Sequence, residues 1–372
     1  MKKIKILFII DLIGEGGAQR VVTNILKFID LSIFKVELAV FNMVGNYINS
    51  LPDNIIFHNM NIRRSRYSMI SLSRVIKKVK PQIVFSTLPA IDSAVYIAVK
   101  LSACSTKIVF RSPNFLSTYL FELPVYTRLF SLLAYRYADK IISSTEEMRI
   151  DMYNNFNLPL SKIKVIQNPI DIKMIEKKSI EPINNTLFQM KSLEKYPIIM
   201  TMGRLSKQKG FPYLLRAFKI VREKIKSRLV VLGEGELKNE LENLAKNLNI
   251  SNDVSFIGFK SNPYKYLSRA NLFVLSSLWE GFPNSLVEAM VCGTPVISTN
   301  CSSGPKEIIT SGVNGLLVPT ENTEELAKAI LEVLTNKKLS KMIAGGAIEK
   351  AKEFDVKKII PEYENLFINI LK

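Results

Sequence analysis

The chain has 372 residues, 47% of them hydrophobic and 23% charged, a balance that excludes a disordered, collagen-like or low-complexity protein. At about 150 residues per domain, this length points to two domains, each able to bury a core without a disulfide or zinc staple. Fifty-one Lys and Arg against 33 Asp and Glu give a formal charge of +18, and three cysteines in no C-x-x-C pair with one histidine exclude an ordinary zinc site.

The N-terminus reads MKKIKILFIIDLIGEGGAQR. Its basic start and apolar run mimic a signal peptide, but the run stops at Asp11 and enters a glycine loop with no small-residue cleavage site. Ile4–Ile10 is therefore expected to be a first buried strand. No stretch approaches the roughly 18 to 20 apolar residues of a spanning helix, so a soluble, cytosolic protein is expected. Further strands are expected at Lys35–Phe41, Ile55–Met60, Gln82–Ser86, Lys107–Phe110, Lys140–Ser143 and Ile163–Ile166. Helical patterns at Ala18–Ile29, Ser71–Lys80, Ser93–Ser102 and Leu129–Tyr137 lie between them. Asn168–Lys195 is polar, contains Pro169 and Pro182 and has no apolar period, so it reads as a connection between domains. The pattern then restarts, with strands at Ile198–Met202, Arg228–Leu232, Val254–Ile257, Leu272–Ser276 and Pro295–Ser298. One helix of this half places Phe211, Leu214, Leu215, Phe218 and Ile225 on a single face. Helical patterns from Thr323 onward close the chain. Alternation of this kind gives an α/β protein of two doubly wound, Rossmann-like domains, whose ligands bind beyond the carboxyl ends of the strands in a central cleft.

Four stretches fall where strands give way to helices. Gly14-Glu15-Gly16-Gly17-Ala18-Gln19-Arg20 follows the first strand, and its glycines allow close backbone approach to a ligand at a helix N-terminus. It is not G-x-G-x-x-G, and no acidic residue closes the second strand, which disfavours a nicotinamide cofactor. Gly203-Arg204-Leu205-Ser206-Lys207-Gln208-Lys209-Gly210 brings Arg204 and Lys209 to one helix mouth, a fitting site for a diphosphate. Glu280-Gly281-Phe282-Pro283-Asn284-Ser285-Leu286-Val287-Glu288 offers Asn284 or Ser285 as a helix cap and two carboxylates suited to separate hydroxyl contacts. Asn300-Cys301-Ser302-Ser303-Gly304-Pro305-Lys306-Glu307 is a small-residue loop opening another helix. Read together, the four describe a sugar-nucleotide site.

The GGAQR loop, GRLSKQKG and the E-x7-E of WEGFPNSLVEAMVCGTPVIST resemble glycosyltransferase family 4 over essentially the whole chain, most strongly from Gly203 to Pro319. The resemblance implies a retaining enzyme of the two-domain glycosyltransferase-B fold. It implies a first, acceptor-binding domain at 1–170, on which a C-terminal helix at 356–372 packs back, and a nucleotide-sugar domain at 171–355. It implies that Arg204 and Lys209 hold the donor diphosphate, that Glu280 meets the transferred sugar and that Glu288 meets the nucleotide ribose. Arg204, Lys209 and Glu280 are the catalytic candidates. Gly16, Gly17, Gly281, Phe282, Asn284 and Ser285 complete the expected donor site, with Arg111 and Asn114 on the acceptor side. Many relatives carry R-x-H-N where this chain has Arg111-Ser112-Pro113-Asn114, so Pro113 replaces the histidine. The only histidine, His58, ends an apolar strand and is expected to be structural. An imidazole base is therefore not expected. In the family's usual account a donor phosphate oxygen takes the acceptor proton, and no metal or other cofactor is expected, in keeping with the lack of a clear D-x-D motif.

The first 170 residues carry 22 basic and 11 acidic residues, the greater share of the excess. Arg63, Arg64, Arg66, Arg74, Lys77, Lys78 and Lys80 cluster there, and Phe115, Tyr119, Leu120, Phe121, Val125 and Tyr126 follow as an apolar stretch. Such a pairing suits an anionic membrane surface, and a solvated basic face is its alternative. The expected partners are thus a nucleotide sugar, UDP first among carriers, a lipid-linked saccharide and the inner face of the cell membrane, with no nucleic acid. A sugar-nucleotide epimerase of the same fold and a non-catalytic lipid- or nucleic-acid-binding protein are the rival expectations.

Overall fold

A computed structural model describes residues 3–12, 16–42, 51–52, 54–62, 68–121, 123–183 and 196–372. They form two compact units, the first of residues 1–169 together with 356–372 and the second of residues 170–355. The chain therefore passes between units twice, after Pro169 and after Asp355.

The first unit is built on a seven-stranded sheet: β1 (Ile4–Leu12), β2 (Phe34–Asn42), β3 (Ile56–Asn59), β4 (Ile83–Ser86), β5 (Lys107–Arg111), β6 (Lys140–Ser143) and β7 (Ile163–Val165). Every pairing is parallel, in the order β3-β2-β1-β4-β5-β6-β7. Parallel sheets need helices on both faces, which is why Ile6–Ile10 is an unbroken apolar run with no residue more than 3% exposed. One face of β1 meets Phe34, Phe85, Tyr363 and Phe367; the other meets Val84, Phe110 and Tyr135. The closing helix Val356–Asn369 supplies Tyr363 and Phe367 to the first of these cores. The Phe367 ring lies 5.7 Å from Phe85, edge-on, so the C-terminus completes the unit in which the chain began. His58 Nε2 lies 2.7 Å from Glu37 Oε2 across β2 and β3, a pairing that ties the only histidine to the sheet.

The second unit has a six-stranded parallel sheet: β8 (Ile198–Met202), β9 (Arg228–Leu232), β10 (Val254–Phe256), β11 (Leu272–Leu275), β12 (Val296–Thr299) and β13 (Leu316–Val318), in the order β10-β9-β8-β11-β12-β13. The helix Phe211–Lys224 buries Phe211, Leu214, Leu215, Phe218 and Val221 against it. Ile225, expected on that face, is instead the extended residue that ends the helix. The stretch expected to be only a connection contains the helix Ile172–Ser179. Asp171 caps it, accepting 3.0 Å from the Met174 N–H, and Ile170 pairs with Asp355. The later part of that stretch, 184–195, lies outside the described residues.

Where β4 ends, the helix Pro89–Ser102 carries Asp92 in its first turn, fully buried. Its carboxylate accepts from Ser86 Oγ at 2.6 Å and from Tyr135 Oη at 2.7 Å. No cation pairs with it among these contacts, and burial pushes its pKa up to about 7. A carboxyl whose folded pKa is raised holds a proton that the unfolded chain has released, so its stabilising contribution is lost as pH rises from about 4 to about 7. Asp92→Asn removes that titration. Chemical denaturation across this window should show the wild type losing stability relative to Asp92→Asn as pH rises; a constant difference would refute the buried acid.

Candidate functional site

In the second sheet the chain moves outward from β8 through β9 to β10, then returns to the opposite side of β8 as β11. The reversal leaves the carboxyl ends of β8 and β11 side by side, and at such switch points a crevice opens between diverging loops. GRLSKQKG leaves β8 at this place and SSLWEGFP leaves β11.

The two loops are in backbone contact. Gly210 adopts φ +58°, and a Cβ there would stand 2.1 Å from the Ser276 carbonyl oxygen, so only glycine fits. Leu278 N–H donates to the Gln208 carbonyl at 2.8 Å, Ser276 Oγ donates to the Lys209 carbonyl at 2.9 Å, and Gln208 Nε2 donates to the Trp279 carbonyl at 2.9 Å. This lattice sets Lys209 Nζ 2.5 Å from Glu280 Oε1, which also accepts from Ser277 Oγ at 2.6 Å. The Lys209 and Glu280 side chains are only 17% and 6% exposed, so solvent screens their attraction weakly. Arg204 stays exposed at the mouth of the same loop.

Glu288 lies on the helix Asn284–Val291 and is buried. The cap is a correction to the sequence reading. Pro283 occupies the capping position and Asn284 begins the helix, with Ser285 following it, both half-buried. The proline ring fixes the backbone for helix entry without supplying a side-chain acceptor. Gly281 and Phe282 are buried, and the Phe282 ring packs 5.2 Å from Phe354, edge-on. The fourth loop presses on this turn: Gly304, at φ +67°, would place a Cβ 2.3 Å from the Gly281 carbonyl oxygen. Burial first, and then the nearby Glu280 carboxylate, push the Cys301 thiol up to about 12, so it stays protonated.

A fifth segment, Gly233-Glu234-Gly235, was not singled out from sequence. Gly233, at φ +136°, would place a Cβ 1.9 Å from the Gly203 carbonyl oxygen, and the Glu234 carbonyl accepts from Leu205 N–H at 2.9 Å. Its signal was present as two glycines directly after an apolar strand.

The remaining expected residues belong to the first unit. Gly16 and Gly17 open the helix Gly17–Phe28 just beyond β1, whereas Gly14 and Glu15 lie outside the described residues. Arg111, at the end of β5, is 1% exposed. Its guanidinium donates to Tyr363 Oη at 3.2 Å and to Asn168 Oδ1, so it turns inward and holds the closing helix. Asn114 lines a small apolar pocket of about 160 Å³ with Leu88, Pro89, Pro113, Phe115 and Tyr119. Arg63, Arg64 and Arg66 lie outside the described residues, while Arg74, Lys77, Lys78 and Lys80 form an exposed basic edge. Among the described residues no cluster of His, Cys, Asp and Glu is arranged to hold a metal ion.

Comparison with known proteins bears on both units. Residues 15–173 match the profile of glycosyltransferase family 4, and residues 183–350 match that of glycosyl transferases group 1. An uncharacterised glycosyltransferase of Methanocaldococcus jannaschii is 35% identical over 263 residues, which span 62% of this chain and 64% of that protein. The N-acetylgalactosamine-N,N'-diacetylbacillosaminyl-diphospho-undecaprenol 4-alpha-N-acetylgalactosaminyltransferase of Campylobacter jejuni is 32% identical over 377 residues, spanning 95% of this chain and 96% of that one. Among solved structures, Anabaena HepE in complex with UDP-glucose superposes with a TM-score of 0.83 at 21% identity, covering 98% of this chain and 99% of its own. At that identity the likeness establishes the fold, two parallel-sheet α/β domains of the glycosyltransferase-B type.

The partly buried ion pair generates a prediction. Lys209→Met strands the Glu280 carboxylate, and Glu280→Gln strands the ammonium, so each single change should cost more than it does in the double variant. A denaturation cycle should give a coupling of roughly 0.5–3 kcal/mol. Additive losses would mean that the two groups do not interact.

Proposed function

The chain belongs to glycosyltransferase family 4, and from that premise we propose that it transfers a hexose or N-acetylhexosamine from a UDP-sugar to a lipid-linked saccharide, with retention of configuration at the anomeric carbon. The observation that carries this reading is the Lys209–Glu280 pair at the switch point of the second unit, with Arg204 exposed on the same loop as Lys209. A donor diphosphate laid on the β8 loop meets two cations there. Its sugar then lies toward Glu280, whose orientation is fixed by Ser277 and Lys209. Glu288, the fifth residue of the next helix, is assigned to the ribose.

In the proposed reaction the bond between the anomeric carbon and the diphosphate oxygen breaks first, giving an oxocarbenium-like centre. The acceptor hydroxyl attacks from the same face, and its proton passes to the departing phosphate oxygen. This route asks the protein for position and charge rather than for a base. That suits a chain whose only histidine is engaged with Glu37 and whose family histidine is replaced by Pro113. The charge of the leaving diphosphate is assigned to Arg204 and Lys209 rather than to a metal ion.

The acceptor class is supported by the Campylobacter relative, whose name gives a diphospho-undecaprenol saccharide as its substrate. The UDP donor is supported by the nucleotide sugar bound in the Anabaena structure. Among the described residues no helix is long and apolar enough to cross a membrane. On this reading the protein works at the inner membrane face as a peripheral protein and takes no nucleic acid, its acceptor's diphosphate lying at headgroup level.

Two tests follow from the division of labour. Arg204→Ala and Lys209→Ala should each weaken UDP binding about tenfold to a hundredfold, the loss of one charge-assisted contact, as measured by calorimetry. Unchanged affinity in both would remove the diphosphate assignment. Glu280→Gln should lower turnover far more than UDP affinity, whereas Glu288→Gln should weaken UDP itself; equal effects on UDP would contradict the separate sugar and ribose roles.

A further inference from the structure

The helix Val125–Tyr137 of the first unit has two apolar sides and only one is covered. Ser131, Ala134 and Tyr135 face inward, where Tyr135 donates to the buried Asp92. Val125, Tyr126, Leu129, Phe130, Leu133 and Tyr137 face outward, each 42% to 68% exposed. At about 100° per residue these six fall within an arc of about 140°. Phe121, 53% exposed on the preceding helix Leu116–Phe121, extends the patch. Seven large apolar side chains exposed on two successive helices, rimmed by polar residues, form the kind of surface that marks a protein or membrane contact.

Cations border this surface. Between Leu123 and Ala138 the sequence has Arg128 and Arg136 and no acidic residue. The Arg128 guanidinium lies 5.4 Å from the Phe121 ring centre. Lys162 Nζ donates to the Arg136 carbonyl at 2.7 Å, which brings a third cation to that end of the helix. Tyr137 stacks on Tyr96 at 5.7 Å, and Lys100 Nζ lies over Tyr96. Asp139, the first acid after the helix, is taken up by Lys107 at 3.0 Å and the Ile108 N–H at 2.8 Å.

We propose that this face docks the protein on an anionic lipid bilayer, the aliphatic and aromatic side chains entering the interface while Arg128, Arg136, Lys100 and Lys162 meet lipid phosphates. The proposal rests on the lipid-linked acceptor proposed above and names the surface by which the protein reaches it. The rim argues for lipid over a second copy of this chain, because a face packed against itself would set cation against cation in a protein of charge +18. The patch also has a tyrosine near each end and an arginine beside its apolar residues, the arrangement that suits a membrane interface, where ring hydroxyls and guanidinium heads reach the headgroups. It also relocates the apolar contact expected from the sequence. Leu120 of that stretch is buried and Phe115 lines the small pocket, so the surface available to lipid centres on residues 125–137.

The full-length protein is tested by co-sedimentation with vesicles of phosphatidylcholine alone and of phosphatidylcholine mixed with phosphatidylglycerol. Binding is expected to favour the anionic vesicles. Arg128→Gln with Arg136→Gln should lower it roughly tenfold and remove much of its salt dependence. Leu129→Ser with Phe130→Ser should lower it at least about tenfold and abolish the part that survives high salt. All four positions lie outside the donor site, so UDP affinity, measured on the same samples, should not change. Equal binding to both vesicle types, wild-type binding by the Leu129→Ser, Phe130→Ser protein, or a dimer that this variant dissociates would each overturn the proposal. Loss of docking with UDP binding intact defeats the docking face alone; docking by a wild type that binds no UDP would support the face and defeat the transferase reading.

Discussion

The second unit depends on a contact between two loops that would be far apart were the strands wound in simple succession. Because β11 lies on the opposite side of β8 from β9, the loops after β8 and β11 are distant in sequence yet stand side by side and touch. Gly210 permits the approach by leaving room for the Ser276 carbonyl. The backbone hydrogen bond from Leu278 to Gln208 fixes it, and the Lys209–Glu280 pair is its chemical product. One cation and one carboxylate, partly withdrawn from water and braced by Ser277, form a preorganised dipole. A ligand bearing both phosphate charge and sugar hydroxyls complements each end of it.

The first unit solves a different problem, that of burying polar groups inside an apolar sheet assembly. Asp92 stays buried by accepting two hydrogen bonds from hydroxyls, and the cost of ionisation appears as its raised pKa. Arg111 stays buried by binding Tyr363 and Asn168, which anchors the returning C-terminal helix to the end of β5. The helix Val125–Tyr137 is pinned from below by the bond between Tyr135 and Asp92, so its outer face is presented on a rigid support.

Much of this architecture was legible in the sequence because parallel strands buried on both faces are short continuous apolar runs. β6, β8 and β9 have the expected bounds, and most other strands differ by one or two residues. β13 was not legible: three residues bounded by a loop offer no period to detect. The helix Ile172–Ser179 was hidden for a related reason, since its eight residues bury only Ile175 fully, with Ile172 and Met174 half-buried beside it, too short a run to display a period. Arg204, Lys209 and Glu280 stood out as charged residues at strand-to-helix turns, but the direct contact of Lys209 with Glu280 depends on loops 71 residues apart. Arg111 drew attention through its likeness to the family's R-x-H-N loop, but its bond to Tyr363, 252 residues away, left no signal in the sequence. Exposure was equally hidden along residues 115–137, where buried Leu120 and exposed Leu129 look alike in sequence and only tertiary packing separates them.

A crystal structure of the protein with UDP tests the central claim most directly, because it locates the phosphates relative to the β8 loop. The account predicts that the diphosphate lies on Gly203–Gly210 within hydrogen-bond reach of both Arg204 and Lys209, with the ribose toward Glu288 and the terminal phosphate on the Glu280 side. Phosphates bound away from that loop, or held there without either cation, would contradict it.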